Sequence, residues 1–144
     1  MLVRQILAMK GGTDVVTIGA DTTVQDAAQL LSEKKIGAVI VSSGNDIPEG
    51  IVSERDIVRE LGSSGAGCLS EAVSELMTRN LVGTSLDETT DQVLQKMTDG
   101  RFRHMPVLEG ERMVGLVSIG DVVKARLSEL SMEKDALEGM IKGF

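Results

Sequence analysis

The sequence predicts an α/β (α+β) fold made of two copies of one β-α-β-β-α unit. The stretch that starts at Asp21 aligns with a later stretch that starts at Asp87. The phrase Gly-apolar-Val-Ser-x-x-Asp also occurs twice, in GIVSERDIVRE (50–60) and in GLVSIGDVVKA (115–125). Because a repeat of one supersecondary unit decides the architecture, the elements of each copy are assigned in turn.

The first copy starts with a short apolar strand, and a helix follows it. Thr22 or Thr23 supplies the N-cap of this helix, whose apolar residues recur at helical spacing. Two further strands come next, and a second helix begins at Asp56. The strands are DVVTI (14–18), IGAVIVS (36–42) and GIVS (50–53), and the helical apolar positions are Val24, Ala27, Ala28 and Leu31.

The second copy repeats this order. Its first helix is capped within Asp87–Thr90, and its last helix begins at Asp121. A single unit of about 60 residues buries too little surface to be stable alone, so we expect the two units to pack sheet against sheet around a shared core. That core is aliphatic, because the chain has two Phe and neither Trp nor Tyr. The strands are NLVGT (80–84), HMPVL (104–108) and MVGLVS (113–118), and the helical apolar positions are Val93, Leu94 and Met97.

The repeat divides the chain into four segments. Residues 1–61 and 72–127 are the two units, and GSSGAGCLSE (62–71) is a linker, because Gly and Ser favour flexible connections. Residues 128–144 form a helical tail. Its heptad seam leaves two alternatives open: the tail lies on its own domain, or it closes a dimer. The seam comprises Leu127, Leu130, Leu137 and Ile141, with Lys134 interrupting it.

The composition argues against several classes of protein. A net charge of −7 is unfavourable for nucleic-acid binding, which requires a basic stripe. No apolar run approaches the ~18 residues of a membrane span, and the N-terminus lacks a signal-peptide layout. Cys68 is the one cysteine, so no internal disulfide forms. We therefore expect a cytoplasmic protein that binds neither nucleic acid nor a membrane.

The sequence displays no catalytic set. The chain has one His and one Cys, and it contains no G-x-S-x-G, no Walker A phosphate loop and no G-x-G-x-x-G. Cys68 has no metal-ligand spacing around it. We therefore expect a protein that is not an enzyme and needs no metal.

The doubled phrase, each time closing a β-α-β-β-α unit, and the stretch RHMPV (103–107) resemble the CBS domain. The resemblance covers about residues 1–127, and the chain is similar to stand-alone bacterial CBS pairs. It implies a Bateman module, in which two units pack through their sheets with pseudo-two-fold symmetry and leave two clefts. Such clefts commonly bind AMP, ADP or ATP, and in some relatives NAD(H) or S-adenosylmethionine. Such modules regulate a partner protein without chemistry and often form flat homodimers. One departure is Ile40, which falls where Pro106 stands in the second unit.

The repeated phrase also suits a nucleotide on chemical grounds. Its Gly leaves room for a ligand or another backbone, and its Ser hydroxyl can donate to a phosphate or sugar oxygen. Its Asp can accept both hydroxyls of a ribose, and the free amides of the helix can receive phosphate. The alternative stays open that Ser and Asp are ordinary helix caps and that the protein is a structural dimerisation module with vestigial clefts.

The resemblance implies that each cleft combines the Ser and Asp of one unit with the adenine wall of the other. The first site is richer in cations, so we expect it to bind the more phosphate-dependent ligand, whereas the second relies on amides and hydroxyls. The cations are alternatively a solvated face, and His104 alternatively a structural residue. The stretch GGT (11–13) is a further candidate phosphate contact. The first site comprises Ser53, Arg55, Asp56, Leu81, Val82, Arg103, His104 and Met105. The second comprises Val16, Thr17, Gly37, Ala38, Val39, Ser118, Gly120 and Asp121.

Overall fold

The computed structural model describes residues 1–11 and 15–142 of the chain. Helices and strands mix along the chain in two related series, and the predicted α/β class is confirmed. The helices are α1 (Val3–Met9), α2 (Val24–Lys34), α3 (Glu54–Ser64), α4 (Thr90–Gly100) and α5 (Ile119–Lys142). The strands are β1 (Thr17–Ile18), β2 (Ala38–Val41), β3 (Gly50–Ser53), β4 (His104–Glu109) and β5 (Arg112–Ser118).

Threonine caps begin the first helix of each copy, as the sequence predicts. Thr23 Oγ1 accepts a hydrogen bond from the backbone N–H of Asp26 at 3.1 Å, and α2 follows. Thr89 Oγ1 accepts one from the N–H of Gln92 at 3.2 Å, and α4 follows. Each such cap is worth about 1 kcal/mol, so short-range chemistry suffices to fix where these helices start.

The chain divides into two compact units that do not follow the repeat strictly. Unit A comprises Met1–Thr13, Val82–Leu108 and Gly115–Phe144, and unit B comprises Asp14–Leu81 and Glu109–Val114. The N-terminal segment joins unit A because the N–H of Val3 donates to the carbonyl oxygen of Glu88 at 2.9 Å. The boundaries 1–61, 62–71, 72–127 and 128–144 follow the repeat in the sequence and stay a prediction.

Unit B contains a three-stranded sheet in the order β1-β2-β3. β1 runs parallel to β2, with Ile18 opposite Val41, and β2 runs antiparallel to β3, with Ile40 opposite Ile51. All four residues of β2 are buried, as expected for the central strand of the sheet. The core around it is aliphatic and comprises Val24, Ala27, Leu31, Val39, Val41, Val52, Ile57, Val73 and Met77.

The predicted linker 62–71 is structured in part. Helix α3 continues through Ser64, and a 3₁₀ turn spans Ala66–Ser70. Cys68 lies in this turn and is buried. Its thiol therefore packs inside unit B.

Unit A contains α1, α4, α5, most of β4 and the last four residues of β5, Gly115–Ser118. Strands β4 and β5 form a two-stranded sheet. Helix α5 has 24 residues and runs without a break through the predicted boundary at 128. No helix in the two described ranges combines the length and apolarity that crossing a membrane requires. The fully buried side chains of the unit include Val3, Ile6, Val93, Met97, Met105, Val107, Val117 and Val122.

One predicted strand, NLVGT, is reduced to a single bridge. Thr84 pairs in parallel with Val107, where the first copy has a two-residue ladder. In that ladder the N–H of Ile40 donates to the carbonyl oxygen of Val16 at 3.3 Å. Pro106 stands at the position of Ile40 and has no N–H, so the second copy lacks this bond.

Candidate functional site

The repeated Ser–Asp phrase forms a capping box at the start of α3 in unit B. The N–H of Ser53 donates to Asp56 Oδ2 at 2.8 Å, and the N–H of Asp56 donates to Ser53 Oγ at 3.3 Å. The Ser53 hydroxyl donates to the same carboxylate oxygen at 3.0 Å. The box fixes the carboxylate at the strand-to-helix turn. The other oxygen, Oδ1, lies 3.7 Å from the guanidinium of Arg59 and takes no part in the box.

Unit A repeats the box at the start of α5. The N–H of Ser118 donates to Asp121 Oδ2 at 2.9 Å, and the N–H of Asp121 donates to Ser118 Oγ at 3.1 Å. Ser and Asp are therefore helix caps in both copies, as one of the two interpretations of the sequence predicted. Oδ1 of Asp121 is again outside the box, so capping and ligand binding can use different oxygens of one carboxylate.

The first amide of each of these helices is already bound. In unit B, the N–H of Glu54 donates to the carbonyl oxygen of Gly37 at 2.9 Å, and unit A repeats this bond from Ile119 to Arg103 at 2.8 Å. The third amide closes the Ser–Asp box. The second amide of each helix, that of Arg55 or of its counterpart in the other copy, is therefore the donor that best suits a bound phosphate.

Lys10, which the sequence analysis did not assign to a site, stands at the second box. Its Nζ donates to the carbonyl oxygen of Leu116 at 2.6 Å and lies 2.8 Å from Asp121 Oδ2. Burial raises the pKa of Asp121, but the hydrogen bonds from Lys10 and from the N–H of Ser118 outweigh burial and bring this pKa below its ordinary value. Asp121 is therefore an ionised and paired carboxylate at neutral pH.

This ion pair adds a cation to the copy that was expected to lack one. From the sequence, a phosphate near Asp121 was expected to bind backbone amides and hydroxyls. The stretch KGG at positions 10–12 carries no recognisable phosphate-binding motif, and Lys10 and Asp121 lie far apart in the sequence. Only the packing of α1 within unit A brings the ammonium to the carboxylate.

Packing explains the glycines that open the two phrases. A Cβ on Gly50 would lie 2.6 Å from Met77 Sδ, and a Cβ on Gly115 would lie 2.9 Å from Leu7 Cδ1. From the sequence, this space was expected to hold a ligand or another backbone segment. In the structure, side chains of the same unit fill it, so both glycines serve close packing.

The other predicted site residues differ in what they can offer a ligand. The side chains of Ala38, Val39 and Met105 are buried, so these residues can offer backbone groups. Leu81, which the sequence placed in an adenine wall, is half-buried. The remaining half-buried or exposed members are Val16, Thr17, Gly37, Arg55, Val82, Arg103, His104 and Gly120.

Each unit brings together residues that the sequence assigned to different clefts. In unit B, Ala38 lies opposite Ser53 in the sheet. In unit A, the carbonyl oxygen of Arg103 binds the first amide of α5, next to Ser118. The combination of residues across the two copies, which the resemblance implies, stays a prediction. Of the candidate GGT stretch, Gly11 is exposed, and residues 12–13 lie outside the described residues.

The described part of the chain shows no metal centre and no exposed cysteine. Residues 1–11 and 15–142 contain no group of three His, Cys, Asp or Glu side chains able to hold a metal ion. The thiol of Cys68 is buried, whereas a reactive cysteine requires access to its substrate. The chemistry on display is hydrogen bonding and charge pairing at two strand-to-helix turns.

Two α/β copies with matching Ser–Asp boxes define a tandem pair of small domains. The CBS domain family matches residues 3–63 and 73–128. The chain therefore belongs to the CBS domain family and carries two CBS domains in tandem, which confirms the resemblance seen in the sequence.

Relatives of known structure share this fold over most of their length. The CBS-domain containing protein ATU1752 from Agrobacterium tumefaciens is 47% identical, with a TM-score of 0.84, over 88% of this chain and 99% of that one. The CBS domain pair of protein MJ0100, solved in complex with 5′-methylthioadenosine and S-adenosyl-L-methionine, is 25% identical, with a TM-score of 0.78, over 90% and 98% of the chains.

A curated relative is longer than the matched region. The mitochondrial CBS domain-containing protein CBSX3 of Arabidopsis thaliana is 35% identical over 127 residues. The match covers 85% of this chain and 62% of that protein. The chain thus spans less than two thirds of this relative.

Proposed function

We propose that this CBS pair is a non-catalytic sensor of adenine nucleotides, AMP, ADP, ATP or NAD(H), and that it passes ligand occupancy to an unidentified regulated protein. The observation that carries the proposal is the pair of Ser–Asp boxes. Each box uses Oδ2 of its carboxylate and leaves Oδ1 outside, at Asp56 and at Asp121.

A ribose fits the chemistry of the carboxylate oxygen that lies outside the box. Vicinal hydroxyl groups donate to a carboxylate, and such charge-assisted hydrogen bonds are the stronger kind. The second amide of α3 and of α5 adds a donor for a phosphate oxygen close to the carboxylate. The two functions are separate enough for one aspartate to cap a helix and to accept a sugar.

The complex of MJ0100 supports the adenosine part of this proposal. Both molecules bound to that protein contain adenosine, and neither contains a phosphate. What they share with AMP, ATP and NAD is the adenine base and its ribose. The phosphates are then the part of the ligand that cations of this chain would recognise.

Cations distinguish the two proposed sites. Arg55 and Arg103 are exposed and belong to the first predicted site, where a guanidinium can bind phosphate in a bidentate manner. Lys10 pairs with Asp121 of the second predicted site. We propose that the arginine-rich site takes the more phosphate-dependent ligand, as the sequence predicted, and that Lys10 contributes at the other.

A structural module with vestigial clefts is the second candidate. The capping boxes favour it, because Ser53 and Asp56 satisfy each other without any ligand. Asn caps helices about as well as Asp, whereas charge-assisted binding of a ribose requires the carboxylate. The double variant Asp56→Asn with Asp121→Asn therefore separates the two candidates.

Thermal unfolding with a panel of ligands tests the proposal. The panel comprises AMP, ADP, ATP, NAD, NADH, 5′-methylthioadenosine and S-adenosylmethionine. A ligand at 100 times its dissociation constant adds about 2.7 kcal/mol to the free energy of unfolding. We expect a shift for the wild-type protein. For the double asparagine variant we expect no shift with ligand, and without ligand a stability lowered by no more than the ~0.5–1 kcal/mol of the lost Lys10–Asp121 ion pair. Absence of any shift in the wild-type protein would favour the structural module.

We further propose that the protein is a homodimer. Apolar side chains of α5 are largely exposed, with Leu127 61% and Leu137 60% accessible to solvent. Exposed apolar surface of this kind is typical of an interaction site. Sedimentation of the wild-type chain provides the test, and a monomer at all concentrations would contradict it.

A further inference from the structure

The distal half of α5 lacks any cover within the described chain. Every residue from Ser131 to Lys142 is exposed. From Ser131 to Lys142, therefore, the tail does not lie on its own domain in this structure. An isolated helical segment of about 12 residues is marginal in water, so a partner that buries its apolar side would stabilise it.

Five exposed apolar residues of this helix lie along one side of it. They follow a heptad spacing, with Leu137 60% and Ile141 71% exposed. The line extends over about 27 Å of helix, at a rise of about 1.5 Å per residue. We call it the α5 stripe, and it comprises Val123, Leu127, Leu130, Lys134, Leu137 and Ile141.

We propose that the α5 stripe binds the α5 stripe of a second copy of this chain, with the two helices antiparallel. The inference rests on the proposed homodimer and specifies its contact. Antiparallel pairing centred between residues 130 and 134 places Leu127 opposite Leu137 of the second copy. The same register places Val123 opposite Ile141. Each contact then occurs twice, as a closed two-fold interface requires.

Lys134 favours the antiparallel over the parallel arrangement. In a parallel, in-register pair, the seam would hold Lys134 against Lys134 of the second copy, two like charges within the apolar layer. In the antiparallel pair, Lys134 lies opposite Leu130 of the second copy. Its stem can pack there while its ammonium stays near Glu138 of its own helix, 3.9 Å away.

The flanking charges point the same way. Residues beside the seam set the orientation of paired helices. A parallel pair would bring Glu133 towards Glu138 of the second copy, twice. The antiparallel pair brings Lys124 opposite Glu138 instead, also twice. Glu133 meets its own copy near the two-fold axis, but Arg126 lies 3.9 Å from it and offsets that repulsion.

Charge substitutions on the stripe test the surface by sedimentation equilibrium. Leu130→Glu and Leu137→Glu should each halve the mass of a dimeric wild-type protein. Met132→Glu is the matched control, because Met132 is 61% exposed on the opposite side of α5, and it should stay a dimer. If both stripe variants remain dimers, this inference fails and the homodimer stands. A monomeric wild-type protein would overturn both.

Thiol cross-linking tests the direction. Cys68 is buried, so single cysteines introduced into the full chain provide the accessible thiols. With a short bis-maleimide, Leu127→Cys and Leu137→Cys should give little cross-linked dimer alone and abundant dimer when the two are mixed. Abundant dimer from each variant alone would show a parallel pair and overturn the antiparallel proposal. Lys134→Leu should strengthen the dimer, and a weaker dimer would count against the register.

Discussion

Lys10 Nζ lies 2.8 Å from Asp121 Oδ2, the same oxygen that accepts the N–H of Ser118 at 2.9 Å. This pair ties the end of α1 to the motif of the second CBS domain. In the first domain, Asp56 has Arg59 of its own helix at 3.7 Å from Oδ1, the oxygen outside the capping box. The two motifs therefore present different charge to a ligand although their capping boxes match.

Replacing Lys10 should separate phosphate recognition from adenosine recognition. In an Asp56→Asn background, Lys10→Met should lower the affinity for AMP by about tenfold or more, because a charge-assisted contact is worth ~1.5–3 kcal/mol. Adenosine has no phosphate and should bind unchanged or more tightly. Titration calorimetry measures both. Arg4→Met is the control, since Arg4 pairs with Asp87 elsewhere in unit A. Equal losses for AMP and adenosine would contradict a phosphate role.

The same pair should make stability depend on pH in acid. The pKa of Asp121 is below its ordinary value of 3.8 in the folded chain, so its contribution to stability is complete above that value. The contribution disappears as the pH falls through the lower folded pKa, because the unfolded chain takes up the proton first.

A double-mutant cycle of Lys10→Met and Asp121→Asn isolates this contribution. We expect a coupling of ~0.5–1 kcal/mol in urea unfolding at pH 7, which is the range for partly exposed ion pairs. The coupling should vanish well below pH 3.8, the ordinary value for an aspartate. A coupling that is the same at pH 7 and in strong acid would show that charge is not its origin.

Arg103→Ala should weaken the binding of phosphate-bearing ligands at one site only. Arg103 is exposed and belongs to the first predicted site, and its guanidinium suits a phosphate. We expect a loss of ~1.5–3 kcal/mol for ATP or AMP at the arginine-rich site. Arg112→Ala, at the exposed start of β5, is the matched control. Calorimetry that finds unchanged affinity at both sites would remove Arg103 from the proposed function.

Short-range chemistry explains why much of the fold was predictable. Thr23 and Thr89 are caps that bind an amide in the first turn of their own helix, so a local window of sequence suffices to place them. Ser53 and Ser118 are equally local partners of their aspartates. The repeat of the whole unit then allowed one copy to support the assignment of the other.

Long-range packing explains what the sequence did not reveal. Lys10 approaches Asp121 only because α1 packs in unit A, and no periodicity in so short a helix indicates which copy it joins. The strand NLVGT is reduced to one bridge because Pro106 has no N–H. The sequence showed that Pro106 replaces Ile40, but it did not show that this change shortens the neighbouring strand. Gly50 suggested space for a ligand. Met77 fills that space, but it is distant in the sequence, so the sequence did not reveal the contact.

Gly50 and Gly62 should respond in opposite directions to a larger side chain. A Cβ on Gly50 would lie 2.6 Å from Met77 Sδ and 3.1 Å from the carbonyl oxygen of Thr78, so Gly50→Val overpacks the core and should cost ~1–3 kcal/mol. Gly62 lies in α3 with nothing within 4 Å of its Cβ position, so Gly62→Ala should stabilise the chain by ~0.5–1 kcal/mol. Urea unfolding with an unchanged slope measures both. If Gly50→Val leaves the midpoint unchanged, Met77 moves aside at no cost, and close packing is not the reason for glycine at the start of β3.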